Sequence, residues 1–129
     1  MTDALFLLDS NICIYVLADA QSVPAGRLSR CVRGSVVTSM ISYAEVIHGI
    51  PAPDGPKRAA AIKLFDLVPP LPFDRAAADV YAGLPFRRAR YDRLIAAHAL
   101  SLGLTLVTNN ERDFQDIPGL RIENWNRSE

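Results

Sequence analysis

Two apolar runs of strand length, residues 4–8 and 104–108, each stop abruptly in a polar cluster, the first at Asp9-Ser10-Asn11 and the second at Thr108-Asn109-Asn110. The first run holds no polar residue and the second only Thr105 before its end, and both are too short for a buried helix. That is the pattern of a strand covered on both faces, as in a parallel sheet. Parallel strands need helical crossovers, and the chain supplies them. Asp9 or Ser10 caps a helix to about Leu17, residues 23–33 form a second helix, and residues 35–38 form another strand. Ser42 opens a helix to about Ile50, which the proline-rich stretch 51–56 ends. A helix over 57–66 precedes a short strand at Leu67 and Val68. Asp74 caps an alanine-rich helix reaching Leu84, where Pro85 ends or kinks it. Residues 92–102 form a helix apolar almost all round, with Gly103 as its stop. A turn or short helix holds 110–114, and 120–122 reads as a last edge strand. The predicted fold is α/β, a three-layer α/β/α sandwich with a largely parallel sheet. One domain over 1–129 is expected, long enough to bury a core without disulfides.

Fourteen Lys and Arg balance fourteen Asp and Glu, which argues against a surface that grips nucleic acid all over but leaves room for a local patch. Only Lys57 and Lys63 are lysines, so the cations are mostly arginine, whose planar fork suits phosphates. Cys13 and Cys31 form no CxxC pair and are expected as reduced, packed thiols. The apolar residues 5–8 are flanked by Asp3 and Asp9 with no cationic leader, so no signal peptide is expected. No run approaches a membrane span, and a cytoplasmic protein is expected.

In parallel α/β sheets, ligands bind beyond the carboxyl ends of the strands. Three acids fall there. Asp9 directly follows a buried strand, where it is either an N-cap or a functional carboxylate. Glu45 sits one turn into the helix after the second strand; Ser42-x-x-Glu45 also matches a capping box. Asp92 opens the apolar helix, where the helix dipole favours it and burial partly desolvates it. Three carboxylates at one rim repel one another, and a hard divalent cation relieves that repulsion. Bound water and phosphodiester chemistry would follow. There is no HExxH, no zinc-spaced His/Cys cluster, no Walker loop and no GxGxxG, which leaves oxygen-ligand chemistry.

Four segments then carry a resemblance. Leu7-Leu8-Asp9-Ser10-Asn11-Ile12-Cys13-Ile14-Tyr15 resembles the LLDTNxxIY opening of PIN-domain nucleases of the VapC toxin type. Ser39-Met40-Ile41-Ser42-Tyr43-Ala44-Glu45-Val46 is similar to their second motif. The segment 91–100, Tyr-Asp-Arg-Leu-Ile-Ala-Ala-His-Ala-Leu, matches the third, and 106–125 resembles the C-terminal segment. The motifs come in family order and run nearly end to end. The resemblance implies a PIN-like fold, cleavage of RNA dependent on Mg²⁺ or Mn²⁺, a VapB-type antitoxin partner, and a homodimer or toxin–antitoxin hetero-oligomer. It gives the acidic roles to Asp9, Glu45 and Asp92; of these, Asp9 and Asp92 are expected as the main metal ligands. The family's fourth acid often lies where this chain has Asn110. Asp113 is preferred for that role, with Asn110 in support.

Arg87, Arg88, Arg90 and Arg93 cluster beside Asp92, either as a solvated helix end or as phosphate contacts. His98 is expected to be packed, His48 and Asp79 to face solvent, and Tyr15, Tyr91 and Trp125 to pack in the core rather than stack on bases. Two other functions compete. A PIN fold with a degenerate site would be a binding module; the intact Asp9, Glu45 and Asp92 count against it and Asn110 for it. An aspartate-based phosphotransfer or phosphatase domain would need a second acid where Asn11 stands and a late lysine that is missing.

Overall fold

The structure, a computed structural model, describes residues 3–85 and 91–126. Its elements run β1 (Phe6–Leu8), α1 (Ser10–Ala18), α2 (Val23–Ser29), β2 (Val36–Ser39), α3 (Met40–His48), α4 (Gly55–Leu67), β3 (Pro70–Leu71), α5 (Arg75–Ala82), α6 (Tyr91–Leu102), β4 (Thr105–Val107), a 3₁₀ turn (Glu111–Phe114) and β5 (Ile122–Glu123). The sheet has the order β3-β2-β1-β4-β5 and every pairing is parallel.

Register explains the three layers. Leu7, Val37 and Leu106 are aligned across β1, β2 and β4, and they join one core cluster with Ile95, Ala96 and Ala99 of α6. The next residues along, Leu8 and Val107, join the opposite cluster with Ile12, Val46, Leu64 and Phe65 from α1, α3 and α4. Period-two side chains thus face helices on both sides. Leu7, Leu8, Val37, Leu106 and Val107 are fully buried; truncating such a leucine to alanine costs about 2–5 kcal/mol.

Several boundaries differ from expectation for physical reasons. Helix α3 begins at Met40, capped by Ser39, whose hydroxyl accepts from Ile41 N at 3.1 Å. Strand β2 therefore passes into the helix with no loop, and the Ser42-x-x-Glu45 capping box does not form. Helix α4 starts earlier, at Gly55, because Asp54 caps it and Pro56 lies in its first turn, where the missing N–H costs nothing. It also runs through Leu67, so the third strand is Pro70–Leu71 instead of Leu67 and Val68. Proline is tolerated there because β3 is an edge. Helix α2 stops at Ser29, short of residue 33. The last strand is Ile122–Glu123. Gly103 ends α6 with φ +69°, a conformation that favours glycine.

Among the described residues no helix is long and apolar enough to cross a membrane. Cys13 and Cys31 are both free. Burial pushes the Cys13 thiol up to about 12, which suits a packing role.

Candidate active site

Chain order departs from sheet order between β1 and β4: from β1 the chain builds outward to β2 and β3, then crosses back to β4 and β5. Such a switch point opens a crevice at the carboxyl ends of the two central strands. Asp9 stands at the end of β1 and Thr108 at the end of β4. The Asp9 amide donates to Val107 O at 3.0 Å, closing the strands up to the crevice.

Asp9 is 7% exposed. It caps α1 through Oδ1, which accepts from Ile12 N at 2.9 Å, and it also accepts from the Thr108 hydroxyl. One carboxylate therefore both caps α1 and lies at the mouth of the crevice. Burial raises its pKa from 3.8 to about 6; the Thr108 and Ile12 hydrogen bonds oppose that rise, and the charges of Asp92 and Glu45 add to it. Those last contributions place Asp92 and Glu45 each within electrostatic reach of Asp9. Asp92 is half-buried in the first turn of α6. Glu45, half-buried in the second turn of α3, accepts a hydrogen bond from Ser10 Oγ.

The fourth position is also connected. Thr108 Oγ1 accepts from Asn110 N at 3.0 Å, which leaves the Thr108 proton for Asp9. Asn110 Nδ2 in turn donates to Asp113 Oδ2. Asn110 and Asp113 thus lie together at the start of the 3₁₀ turn, linked through Thr108 to Asp9. Among the described residues no three His, Cys, Asp or Glu side chains close into a ligand cluster. An ion at this rim would keep several waters, which is how Mg²⁺ binds.

Arg93 does not face the crevice as a free phosphate contact. Its Nη2 donates to both carboxylate oxygens of Asp116, at 3.0 and 2.9 Å, with side-chain exposures of 12% and 26%. Arg87, Arg88 and Arg90 lie outside the described residues. His98 is buried, with Nδ1 2.8 Å from Ser39 Oγ and its ring edge-on to Phe73; it joins α6 to the cap of α3. His48 and Asp79 are exposed, and Trp125 is buried, as expected. Tyr15 and Tyr91, expected in the core, are 40% and 61% exposed. Sequence reasoning missed two polar supports, Ser10 to Glu45 and Thr108 to Asp9. Their signal was position: each hydroxyl lies within two residues of a buried strand's end.

A PIN domain profile matches residues 6–120. The tRNA(fMet)-specific endonuclease VapC of Shigella flexneri is 33% identical over 129 aligned residues, covering 93% of this chain and 97% of that relative. Among solved structures, DNA-bound VapBC from Salmonella typhimurium aligns with a TM-score of 0.83 at 31% identity, covering 95% of this chain and 98% of that one. VapBC2 from Rickettsia felis, bound to a DNA fragment from its promoter, aligns with a TM-score of 0.84 at 25% identity, covering 94% and 98%. The chain therefore belongs to the PIN-domain family and, within it, to the VapC ribonucleases.

Proposed function

We propose that this chain is the toxin of a VapB–VapC pair, a cytoplasmic endoribonuclease that hydrolyses RNA with Mg²⁺ or Mn²⁺ held by Asp9 and Asp92. Divalent-metal dependence is general among VapC nucleases of this fold. The carrying observation is Asp9: a buried carboxylate raised to about 6 by desolvation and by two further acids at the same rim, with no cation among the described residues drawing it down. The donor set fits a hard cation, since every candidate ligand is oxygen. When bound, such an ion supplies an activated water and neutralises charge on the phosphodiester. Asp9 is fixed for this role by Ile12 N and Thr108. Glu45, oriented by Ser10, acts directly or through a bound water. Asp113, tied to Asn110, serves as a supporting carboxylate one step farther out.

The partner reading rests on the surface beside Glu45. Ile14, Leu17, Val46 and Ile50, with Glu45 and Lys57 at hand, line a mainly apolar cavity of about 280 Å³ between α1, α3 and α4. An apolar antitoxin segment seated there would bring a basic side chain to the acids and shut the site, in a toxin–antitoxin hetero-oligomer built on a toxin homodimer. The S. flexneri relative is named for tRNA(fMet), which makes initiator tRNA the first substrate to try. Calorimetric titration tests the metal assignment. Mg²⁺ or Mn²⁺ should bind the wild-type chain, and Asp9→Asn and Asp92→Asn should each weaken binding at least tenfold. Unchanged affinity in both variants refutes the ligand assignment.

A further inference from the structure

A second cavity, of about 330 Å³, opens at the same end of the sheet and is lined by Asn109, Asn110, Glu111, Arg112, Gln115 and Asn124. No apolar side chain contributes to it. It begins at the residue after Thr108, whose hydroxyl bonds Asp9, so it adjoins the acidic crevice. Its groups are only partly committed. Asn109 Nδ2 donates to the Tyr15 hydroxyl at 3.1 Å, while Asn109 Oδ1 is buried with no hydrogen-bond partner. Asn124 Oδ1 accepts from Asn126 N at 2.9 Å, which leaves its NH₂ group to donate elsewhere. Arg112 and Gln115 add further side-chain donors to the wall.

An unmet buried acceptor beside several donors suits a planar group that both donates and accepts. A phosphate offers only acceptors and would leave the buried Asn109 oxygen unmet. A nucleobase edge offers both kinds of group. Unpaired bases in RNA are recognised by edge hydrogen bonds together with stacking on an aromatic ring. Tyr15 supplies an exposed ring, tied to the cavity wall through Asn109. We propose that this cavity is a subsite for one unpaired nucleobase of the RNA, next to the cleaved bond, with Asn109, Gln115 and Asn124 reading its edge and Tyr15 stacking on it. The assignment rests on the ribonuclease reading, and its test does not need cleavage.

The side-chain amide resonances of Asn109, Gln115 and Asn124 are followed by NMR in the metal-free full chain during titration with AMP, GMP, CMP, UMP and ribose 5-phosphate. One nucleotide should shift these amides with at least tenfold preference over the weakest of the four, and ribose 5-phosphate should leave them in place. Asn124→Ala and Gln115→Ala should each weaken that nucleotide about tenfold. Gln115→Glu, which keeps size and loses the donor, replaces an alanine variant that fails to fold. The subsite is refuted if no nucleotide moves these amides, if all four bind alike, if ribose 5-phosphate reproduces the shifts, or if only an antitoxin peptide causes them. A nuclease-dead chain that still discriminates bases would overturn the ribonuclease reading and leave the cavity assignment standing.

Discussion

Ser10 and Glu45 are 35 residues apart in sequence, yet the Ser10 hydroxyl donates to a Glu45 carboxylate oxygen and ties the first turn of α1 to the second turn of α3. A hydrogen bond to an ionised acceptor contributes about 1.5–3 kcal/mol when its geometry is good. Its role here is to hold Glu45 near Asp9. Ser10→Ala should retain the fold and lower cleavage about tenfold, with a higher Mg²⁺ requirement. Activity equal to wild type across a Mg²⁺ titration would remove Ser10 from the account.

Asp9 makes stability depend on pH in a definite direction. Its pKa is 3.8 in the unfolded chain and about 6 in the metal-free fold. Below 3.8 both states hold the proton and no penalty exists. Stability is lost as pH rises through that window, and above it the ionised, buried carboxylate costs about 3 kcal/mol. Asp9→Asn keeps an acceptor for Ile12 N and removes the charge. Metal-free Asp9→Asn should therefore melt above wild type at pH 8 and converge with it near pH 4. Thermal melts at the two pH values decide this; an equal offset at both would show that Asp9 is not the titrating group.

The Arg93–Asp116 pair is mostly buried, and Arg93 Nη1 has no partner. Removing Arg93 loses two charge-assisted hydrogen bonds to Asp116, which costs about 1.5–3 kcal/mol. Arg93→Ala should lower the unfolding free energy read from denaturant melts by that order. It should leave the salt dependence of RNA binding unchanged, because the guanidinium is engaged inside the protein. A flatter salt slope in Arg93→Ala would restore the phosphate contact that its sequence position suggested.

Asp113 is linked to Asp9 through Asn110 and Thr108, one step removed from the crevice. Asp113→Ala should thus cut cleavage less than Asp9→Asn, mainly by raising the metal concentration needed. Titrating Mg²⁺ or Mn²⁺ against Asp113→Ala and Asn110→Ala separates the two residues. If Asp113→Ala matches wild type while Asn110→Ala is inactive, the amide holds the fourth position.

What the sequence made legible was what short-range physics controls. Unbroken apolar runs declared buried strands, and Asp9 and Asp92 were placed by the elements they open. Asp74, as expected, caps α5 through Ala77 N. Readings failed where a distant residue or a neighbouring element decides. Ser39 caps α3 because β2 ends there, so the nearer textual match at Ser42 misled. Arg93 found Asp116, 23 residues on, and no local pattern announces that partner. Tyr15 and Tyr91 are aromatic residues in apolar surroundings, but only the packed fold shows which faces remain uncovered.

The central claim is that cleavage depends on the oxygen-ligand site built around Asp9 and Asp92. Its most direct test is cleavage of initiator tRNA and total cellular RNA by the purified chain, stripped with EDTA and then resupplied with Mg²⁺ or Mn²⁺. Wild-type protein should be silent after stripping and recover on metal addition, while Asp9→Asn and Asp92→Asn stay silent with circular dichroism spectra like wild type. Cleavage that persists in EDTA, or near-normal activity in either folded variant, would contradict the account.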